Sequence, residues 1–414
     1  MDASASAHWS KSTRIVAYRD AREAARNIEE TGCSKAGLEI MMGKGLPLAI
    51  RVDGVPLRSA ILIKQEAISA GGDAAYSADV AALRCDSTDI VLLTSACSLP
   101  ILVRKLERQP FGLKKLAASI TSVAAGSVPP RNFVARGRSL PLGDRTYIMG
   151  ILNATPDSFS DGGLYFSEND AIAHAEKMIA EGADMIDIGG ESTRPGSEPV
   201  PAEEERRRVL GIVKHLVVNS DALVSVDTMK PEVAEACLEA GAHIINDVSG
   251  LSAGPRIAEL CASAEAALVV MHMRGMPGDM MRYTEYDDTV RDVIKELAER
   301  MELAVAAGVP EESLVADPGF GFSKTARQNV ELLARLREVS NMGYALLVGL
   351  SRKSTIGRIT GVEDAKARVP GSLAAMTVAI MNGADMVRVH DVAESVQAAK
   401  MADALRCQAA KLGF

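Results

Sequence analysis

Eight short apolar runs in the last two thirds of the chain each end on a polar or charged residue, and no other feature constrains the fold as strongly. Stretches of helical periodicity, such as residues 203–217 and 287–306, separate these runs. Strand and helix alternating eight times is the pattern of a closed parallel barrel. In chain order, the runs end at Asn153, Asp187, Asp227, Asn246, His272, Asp317, Ser351 with Arg352 and Lys353, and Arg388 with His390.

The predicted fold class is therefore α/β, a (β/α)8 TIM barrel, preceded by a small α+β amino-terminal domain. The apolar runs predict barrel strands over residues 147–152, 185–188, 223–226, 243–245, 267–271, 314–316, 345–348 and 386–389. Catalytic groups of such barrels gather at the carboxyl ends of the strands. The residues that end the runs are thus the first candidates for a functional site.

The length of 414 residues favours two structural units, because single cores rarely grow this large. Residues 125–144 are rich in Pro and Gly and predict a linker between an accessory domain, 1–124, and the barrel, 145–414. Within the accessory domain, periodicity predicts helices over 19–30, 57–70, 98–107 and 113–123, and strands over 48–52, 81–84 and 90–94. The segment has no phosphate loop or metal-binding pattern, which favours a structural, oligomerisation or regulatory role.

Composition excludes several classes of function. A hydrophobic content of 47% and a charged content of 24% are typical of a soluble globular protein. The net charge of -8 disfavours nucleic acid or a membrane surface as a partner, since both are negatively charged. No apolar run approaches the roughly 20 residues that span a bilayer. The six cysteines are scattered without metal-ligand spacing, so we expect a cytoplasmic protein.

Four acceptor-rich side chains end neighbouring apolar runs: Asp187, Asp227, Asn246 and Asp317. Buried carboxylates are costly unless each one meets a donor. A structural network with Arg and Lys side chains would satisfy them, and so would a flat nitrogen heterocycle with amino and amide edges. Both interpretations fit the residues, although the heterocycle uses the carboxylates for binding.

Cationic side chains end the last two runs. Ser351, Arg352, Lys353 and Ser354 follow a strand and precede a helix, where free N–H groups and a hydroxyl can hold an anion. Arg388 and His390 are two residues apart on a strand and therefore share a face, which predicts a phosphate site, although His390 could also be structural. Two polar loops, 153–163 and 189–196, are expected to cover the same mouth.

Five motifs in this order and spacing resemble dihydropteroate synthases over about residues 146–405. They are NATPDSFSDGG (153–163), DIGGESTRPG (187–196), DPGFGF (317–322), SRKS (351–354) and RVHD (388–391). The family is a pterin-binding barrel that joins 6-hydroxymethyl-7,8-dihydropterin pyrophosphate to 4-aminobenzoate and releases pyrophosphate. The resemblance implies the same fold and reaction here, with Mg2+ as cofactor and a homodimer as the assembly.

The resemblance also implies roles for residues of this chain. The implied pterin-binding residues are Asp187, Asp227, Asn246, Met271, Asp317 and Lys353. Those implied for aminobenzoate are Thr193, Arg194, Pro195, Phe322 and Ser354. The implied pyrophosphate-binding residues are Asn153, Arg388 and His390, with Asn153 also the metal ligand and Asp161 a further loop contribution to the metal. The implied catalytic residues are Asn153, Asp161, Arg194, Lys353, Arg388 and His390.

Two alternatives compete with this interpretation. A pterin-binding methyltransferase of the corrinoid-dependent type shares the pterin carboxylates but has no need of Thr193, Arg194 or Ser354. A noncatalytic binding module would not require the pyrophosphate residues. The leader of about 140 residues is the main departure from the minimal family enzyme, and it lacks the paired metal-binding carboxylates of a pyrophosphokinase.

Overall fold

The computed structural model describes residues 21–45, 47–126, 132–154, 168–192 and 199–407, within two compact units that span residues 1–124 and 125–414. Four predicted site residues, Asp161, Thr193, Arg194 and Pro195, lie outside the described residues. No helix in the described ranges has both the length and the apolar character needed to cross a membrane.

The first unit is a small α+β domain with a three-stranded antiparallel sheet. Its strands are β1 (Pro47–Pro56), β2 (Asp73–Tyr76) and β3 (Ser87–Ser95), and β3 is central. Its helices are α1 (Ala21–Glu29), α2 (Lys35–Met41), α3 (Leu57–Ser69), α4 (Ala78–Ala81), α5 (Leu99–Leu106) and α6 (Leu113–Gly126). Ile90 and Leu92 lie two residues apart on β3 and form the domain's core with Ile63 and Leu102.

Local signals misled the prediction at two places in this unit. The strand predicted over residues 81–84 is wrong, because residues 78–81 form α4, where the Ser77 hydroxyl accepts a hydrogen bond from the Asp79 N–H at 3.2 Å. Strand β2 was missed because its sequence, DAAY, has no β-branched residue. It is a strand because it pairs along β3, a contact that local sequence does not encode.

The second unit contains the predicted barrel, which is confirmed: eight parallel strands follow one another around the ring, and the last pairs with the first. The strands are β6 (Tyr147–Asn153), β7 (Met185–Gly189), β8 (Leu223–Asp227), β9 (Ile244–Asp247), β10 (Ala267–Met271), β11 (Leu314–Asp317), β12 (Ala345–Val348) and β13 (Met386–Val389). Each lies within two residues of its predicted bounds.

Helices surround the strand ring. They are α7 (Glu168–Ala180), α8 (Ala202–Asn219), α9 (Pro231–Glu239), α10 (Arg256–Ser263), α11 (Thr289–Ala306), α12 (Ala326–Ala334), α13 (Leu336–Ser340), α14 (Ser354–Thr360), α15 (Val369–Met381) and α16 (Val392–Cys407). Gly182 ends α7 at a φ of 107°, a left-handed conformation that glycine adopts without strain. The turn directs the chain into β7.

Two apolar layers explain why the strand sequences are nearly continuous hydrophobic runs. Side chains such as Met149 and Leu347 fill the barrel interior, whereas their neighbours Ile148 and Val348 pack beneath the helices. A strand that is buried on both faces loses the alternation of polar and apolar residues. The polar residue at the end of each strand is therefore easy to recognise.

The predicted linker, 125–144, contains a β-hairpin that the sequence did not reveal. Strands β4 (Asn132–Ala135) and β5 (Arg138–Pro141) pair antiparallel, and Phe133 is fully buried against the first residues of the barrel strands, including Tyr147. The Arg136 N–H donates to the Glu265 carbonyl at 2.8 Å. The hairpin thus closes the amino-terminal end of the barrel, and the opposite end remains as the mouth.

Candidate active site

Arg388 joins residues from three strands in one buried network at the barrel mouth. Its Nε donates to Asp187 Oδ2 at 2.5 Å, and its Nη2 donates to Asp227 Oδ2 at 2.8 Å. Asp187 also accepts from Asn246 Nδ2 at 2.9 Å and from Ser225 Oγ at 2.6 Å. Side chains up to 201 positions apart in the chain therefore meet around one cluster.

This network leaves two groups suited to a ligand. The Asn246 Oδ1 atom is buried and has no hydrogen-bond partner among the described residues. Burial raises the pKa of Asp227 to about 7, because Asp187, Glu205 and Asp247 add to the penalty and the Arg388 guanidinium only partly opposes it. A neutral molecule with N–H donors would satisfy the first group and favour the charged form of the second.

Asp317 and Lys353 lie on the same side of the mouth. Asp317 Oδ1 accepts from the Gly319 N–H at 2.8 Å, and burial raises its pKa although the nearby Lys353 charge opposes the shift. Burial lowers the pKa of Lys353 to about 8, against the attraction of Asp317. Lys353 Nζ donates to the Phe320 carbonyl and lies 4.5 Å from the centre of the Phe322 ring.

The other two cationic residues, His390 and Arg352, each contact a residue at the end of one of the last two strands. His390 faces Ser351, with its Nδ1 atom 3.0 Å from Ser351 Oγ, and the His390 N–H donates to the same oxygen at 3.1 Å. Arg352 instead pairs with Asp391, which accepts from Arg352 Nε at 3.0 Å. Arg388 therefore belongs to the carboxylate network, whereas His390 contacts Ser351 and Arg352 binds Asp391 after the last strand.

An apolar wall adjoins the charged groups. Met271 ends β10 and is buried, together with Met273 and Met280, in a small cluster that Phe322 also contacts. Met280 comes from the loop after β10 and packs into this wall. Flexible thioether side chains pack readily against a flat ring.

Sequence reasoning missed several residues that support the mouth. Ser225 lies two residues before Asp227, and the strand period could have placed it on the same face. Glu205 of α8 is almost fully buried, and Lys230 donates to both Glu205 and Glu191. No local signal pairs these three residues. His272, which ends the fifth apolar run, is fully buried between Glu296 and Lys324.

The bases of the two predicted polar loops are tied together. Asn153 is the last residue of β6, and the N–H of the following Ala154 donates to the Gly189 carbonyl at 2.8 Å. Arg208 Nη1 donates to the Gly190 carbonyl at 2.9 Å. The described parts of both loops therefore leave the ring next to each other.

Ser354, the residue predicted to bind the aminobenzoate carboxylate, is the exposed first residue of α14.

Comparisons with known proteins agree with the chemistry of the mouth. A family model described as "Pterin binding enzyme" matches residues 149–390. A dihydropteroate synthase from Synechocystis is 47% identical over 263 residues, covering 64% of this chain and 91% of that protein. A solved dihydropteroate synthase from Xanthomonas albilineans with 4-aminobenzoic acid is 46% identical with a TM-score of 0.63, covering 67% of this chain and 99% of that one.

A further relative extends the similarity through the leader. A probable bifunctional folylpolyglutamate synthase/dihydropteroate synthase from Halobacterium salinarum is 40% identical over 408 residues, which is 98% of this chain. This chain spans about half of that relative's length, 48%. The leader thus has a counterpart in a known protein, whereas the Synechocystis and Xanthomonas relatives match about two thirds of the chain.

Proposed function

The chain belongs to the pterin-binding enzymes, and within them to the dihydropteroate synthases, and we propose from this that the residues at its barrel mouth carry out that family's reaction. The reaction condenses 6-hydroxymethyl-7,8-dihydropterin pyrophosphate with 4-aminobenzoate, giving 7,8-dihydropteroate and pyrophosphate in folate biosynthesis. The corrinoid-dependent alternative is not favoured, because the relatives are dihydropteroate synthases.

The observation that best supports a pterin site is the Asn246 carboxamide oxygen, which is buried and has no hydrogen-bond partner among the described residues. A buried acceptor without a partner costs about 1 to 3 kcal/mol, so binding an N–H donor there is favourable. Asp227 and Asp317 offer carboxylates beside it, and the pterin edge presents several N–H groups. Lys353 supplies a donor for the pterin carbonyl or ring nitrogen, and Met271 gives the ring a flat apolar neighbour.

Arg388 and His390 are proposed to hold the pyrophosphate group. Arg388 is already oriented by Asp187 and Asp227, so little reorganisation accompanies binding. Its charge stabilises the negative charge that grows on the leaving group as the carbon–oxygen bond breaks, an effect often worth about 3 to 4 kcal/mol. Because Arg388 touches the pterin carboxylates, it also couples ring binding to departure of the phosphate.

The residues present fit the proposed Mg2+ ion. Mg2+ prefers oxygen ligands and usually keeps several waters while it bridges one or two protein oxygens and substrate phosphates. Asn153 ends β6 with a carboxamide oxygen, and the described residues contain no group of three His, Cys, Asp or Glu that would form a dedicated cage. When bound, the ion would neutralise phosphate charge. Asn153 is its proposed ligand, with Asp161 as a further candidate.

The aminobenzoate side is proposed to lie near Phe322 and Ser354. The Phe322 ring adjoins Lys353, so it can pack against an aromatic acid next to the pterin. Ser354 offers a hydroxyl to the carboxylate, and Thr193, Arg194 and Pro195 are assigned to this side from the family alone. The aryl amine is nucleophilic at neutral pH, so no side chain needs to act as a strong base.

We propose a homodimer formed through neighbouring barrel helices. Helices α12, α14, α15 and α16 lie side by side. They expose apolar side chains at Val330, Ile359, Val378, Met401 and Leu405. Exposed apolar patches of this kind mark association surfaces. Light scattering of the wild type beside Ile359→Lys should show a dimer and a monomer, respectively, and a monomeric wild type would contradict the proposal.

The cysteines and the leader allow two smaller proposals. Five cysteines, Cys33, Cys85, Cys97, Cys237 and Cys261, are free thiols, which favours a reducing compartment such as the cytoplasm. The leader is proposed to be an accessory domain. A truncated protein must begin before the β4–β5 hairpin, near Ser127, because a start after the hairpin would remove Phe133. Equal activity of the truncated and full chains would support an accessory role, and lost activity with retained folding would contradict it.

The function is tested by incubating the full chain with pterin pyrophosphate and 4-aminobenzoate. We expect release of pyrophosphate that requires both substrates and added Mg2+, together with formation of dihydropteroate. Omitting aminobenzoate is the control, and chelation with EDTA tests the metal. A protein that binds pterin but never condenses the two substrates would contradict the proposal.

A further inference from the structure

A buried cluster beside the mouth has no part in the proposed reaction. Lys324 is 2% exposed, and its four acceptors in the described part of the chain are all uncharged. Its Nζ atom lies within hydrogen-bond distance of His272 Nδ1 at 3.0 Å, of the Gly319 and Phe322 carbonyls at 3.1 Å each, and of the His272 carbonyl at 3.5 Å. Burial lowers the pKa of Lys324 well below its usual value, although the Asp317 charge opposes the shift.

The His272 imidazole joins Lys324 to the Glu296 carboxylate. His272 Nε2 faces the Glu296 Oε2 carboxylate oxygen at 3.0 Å, and because a carboxylate only accepts, the ring proton lies on Nε2 and leaves Nδ1 as an acceptor for Lys324. Burial lowers the pKa of His272 to about 3, so the ring is neutral. Burial alone would raise the pKa of Glu296, but hydrogen bonds from His272 and Arg274 lower it to about 2. The order is carboxylate, neutral imidazole, lysine amino group.

The acceptors of Lys324 belong to the loop that follows β11. The Gly319 N–H donates to Asp317 Oδ1 at 2.8 Å, while the Gly319 carbonyl accepts from Lys324. The Phe320 carbonyl accepts from Lys353, and the Phe322 carbonyl from Lys324. Two lysines therefore fix three carbonyls within four residues. Gly319 has a φ of 68°, and a Cβ atom there would collide with the His272 carbonyl.

We propose that Glu296, His272 and Lys324 form a buried positioning relay that sets the Asp317 carboxylate and the Phe322 ring for ligand binding. The relay acts through the backbone of residues 319–322 and touches no substrate itself. This inference rests on the proposed function, since it assigns Asp317 to the pterin and Phe322 to the aminobenzoate. The relay controls ground-state binding, whereas Arg388 acts on the leaving group.

Lys324→Met tests the relay, because it removes the donors and keeps much of the volume. We expect the dissociation constant for pterin pyrophosphate, measured calorimetrically without aminobenzoate, to rise about tenfold, which corresponds to about 1.4 kcal/mol. The turnover number at saturating substrates should fall by less than about threefold, because binding rather than chemistry is affected. Lys295→Met, on the exposed face of α11, is the matched control and should change neither value.

Two His272 variants separate positioning from general packing. Asn can place an oxygen near the Nδ1 position and keep the Lys324 bond, whereas Gln can place an amide near Nε2 and keep only the Glu296 bond. We expect His272→Gln to weaken pterin binding as Lys324→Met does, and His272→Asn to retain most of the affinity. The two His272 variants still test the relay if Lys324→Met does not fold.

If the relay residues served stability alone, their variants would have a smaller folded fraction. The folded molecules would still bind pterin pyrophosphate with the wild-type dissociation constant. Unchanged pterin affinity in folded Lys324→Met, or equal affinity in the two His272 variants, would overturn the relay. These results concern only variants of a wild type that binds pterin. A wild type that fails to bind pterin would instead count against the proposed function.

Discussion

The two ends of the barrel bury polar groups in opposite ways. At the amino-terminal end, Arg136 Nη1 donates to the Leu238 and Ala242 carbonyls at 2.8 and 3.2 Å, and the Tyr147 hydroxyl donates to the Pro141 carbonyl at 2.7 Å. His243 Nδ1 accepts from the Val224 N–H at 3.1 Å. These groups are satisfied by backbone partners, and the Phe133 ring fills the interior.

At the mouth, charged groups face one another, and the described residues keep some hydrogen-bonding capacity for a ligand. Asp187 and Asp227 share Arg388, the Asn246 oxygen lacks a partner among the described residues, and burial raises the pKa of Asp227. One end of the ring is thus organised for stability, and the other keeps unfavourable electrostatics that a ligand relieves. Substitutions at the two ends should therefore affect different quantities.

The largest expected effect is on stability, at the amino-terminal end. Phe133→Ala should lower the free energy of unfolding by about 3 to 5 kcal/mol, because it leaves a cavity in a closed core. Urea unfolding followed by circular dichroism measures the loss, with the half-buried Leu140→Ala as a milder control. The pterin dissociation constant of the folded variant should stay unchanged. A large change in affinity would mean that the two ends are not independent.

Arg388→Ala is the counterpart at the mouth. We expect turnover to fall by about two to three orders of magnitude, because the charge on the leaving group loses its stabiliser. Steady-state release of pyrophosphate gives the value. Arg138→Ala, which removes a donor to the Asp221 carbonyl at the other end, serves as the control and should retain turnover. Unaltered turnover in Arg388→Ala would restore the noncatalytic binding module.

Asp317→Ala and Lys353→Ala should each weaken pterin binding by roughly 1.5 to 3 kcal/mol, the value of a hydrogen bond to a charged group. Isothermal calorimetry of both variants is the measurement, and the exposed Lys214→Ala is the control. If both variants kept wild-type affinity, the ring would have to bind elsewhere.

The smallest effect is a dependence on pH. With a pKa of about 7, Asp227 is mostly protonated at pH 6 and mostly charged at pH 8, so pterin affinity should rise about tenfold between them. In the free protein, the same raised pKa makes stability fall as pH rises from about 4 to about 7, because the folded state holds the proton longer. Asp227→Asn should flatten both profiles, and a persistent slope would assign them to another group.

Burial explains how much the sequence could predict. The barrel strands were placed well because strands covered on both faces are apolar runs, and their polar ends identify the mouth. Asp187 and Arg388 could be named, yet nothing in the sequence shows that they form an ion pair. The hairpin over 132–141 was taken for a linker because its strands are only four residues long and the second one ends at Pro141.

The supporting groups were missed for a different reason. Lys324 and His272 lie 52 positions apart, and their bond exists only because two strand-end loops pack together. A buried lysine without a carboxylate partner has no local signature. Ser225 was within reach of the strand period, whereas the Lys230 contacts with Glu191 and Glu205 depend on tertiary packing.

A crystal structure with bound pterin pyrophosphate tests most directly whether the acidic and the cationic residues of the mouth bind one ligand. The account predicts ring N–H groups within hydrogen-bond distance of Asn246 Oδ1 and the Asp317 carboxylate, with the phosphates against Arg388 and His390. A ring bound outside this cleft, or phosphates distant from Arg388, would contradict it.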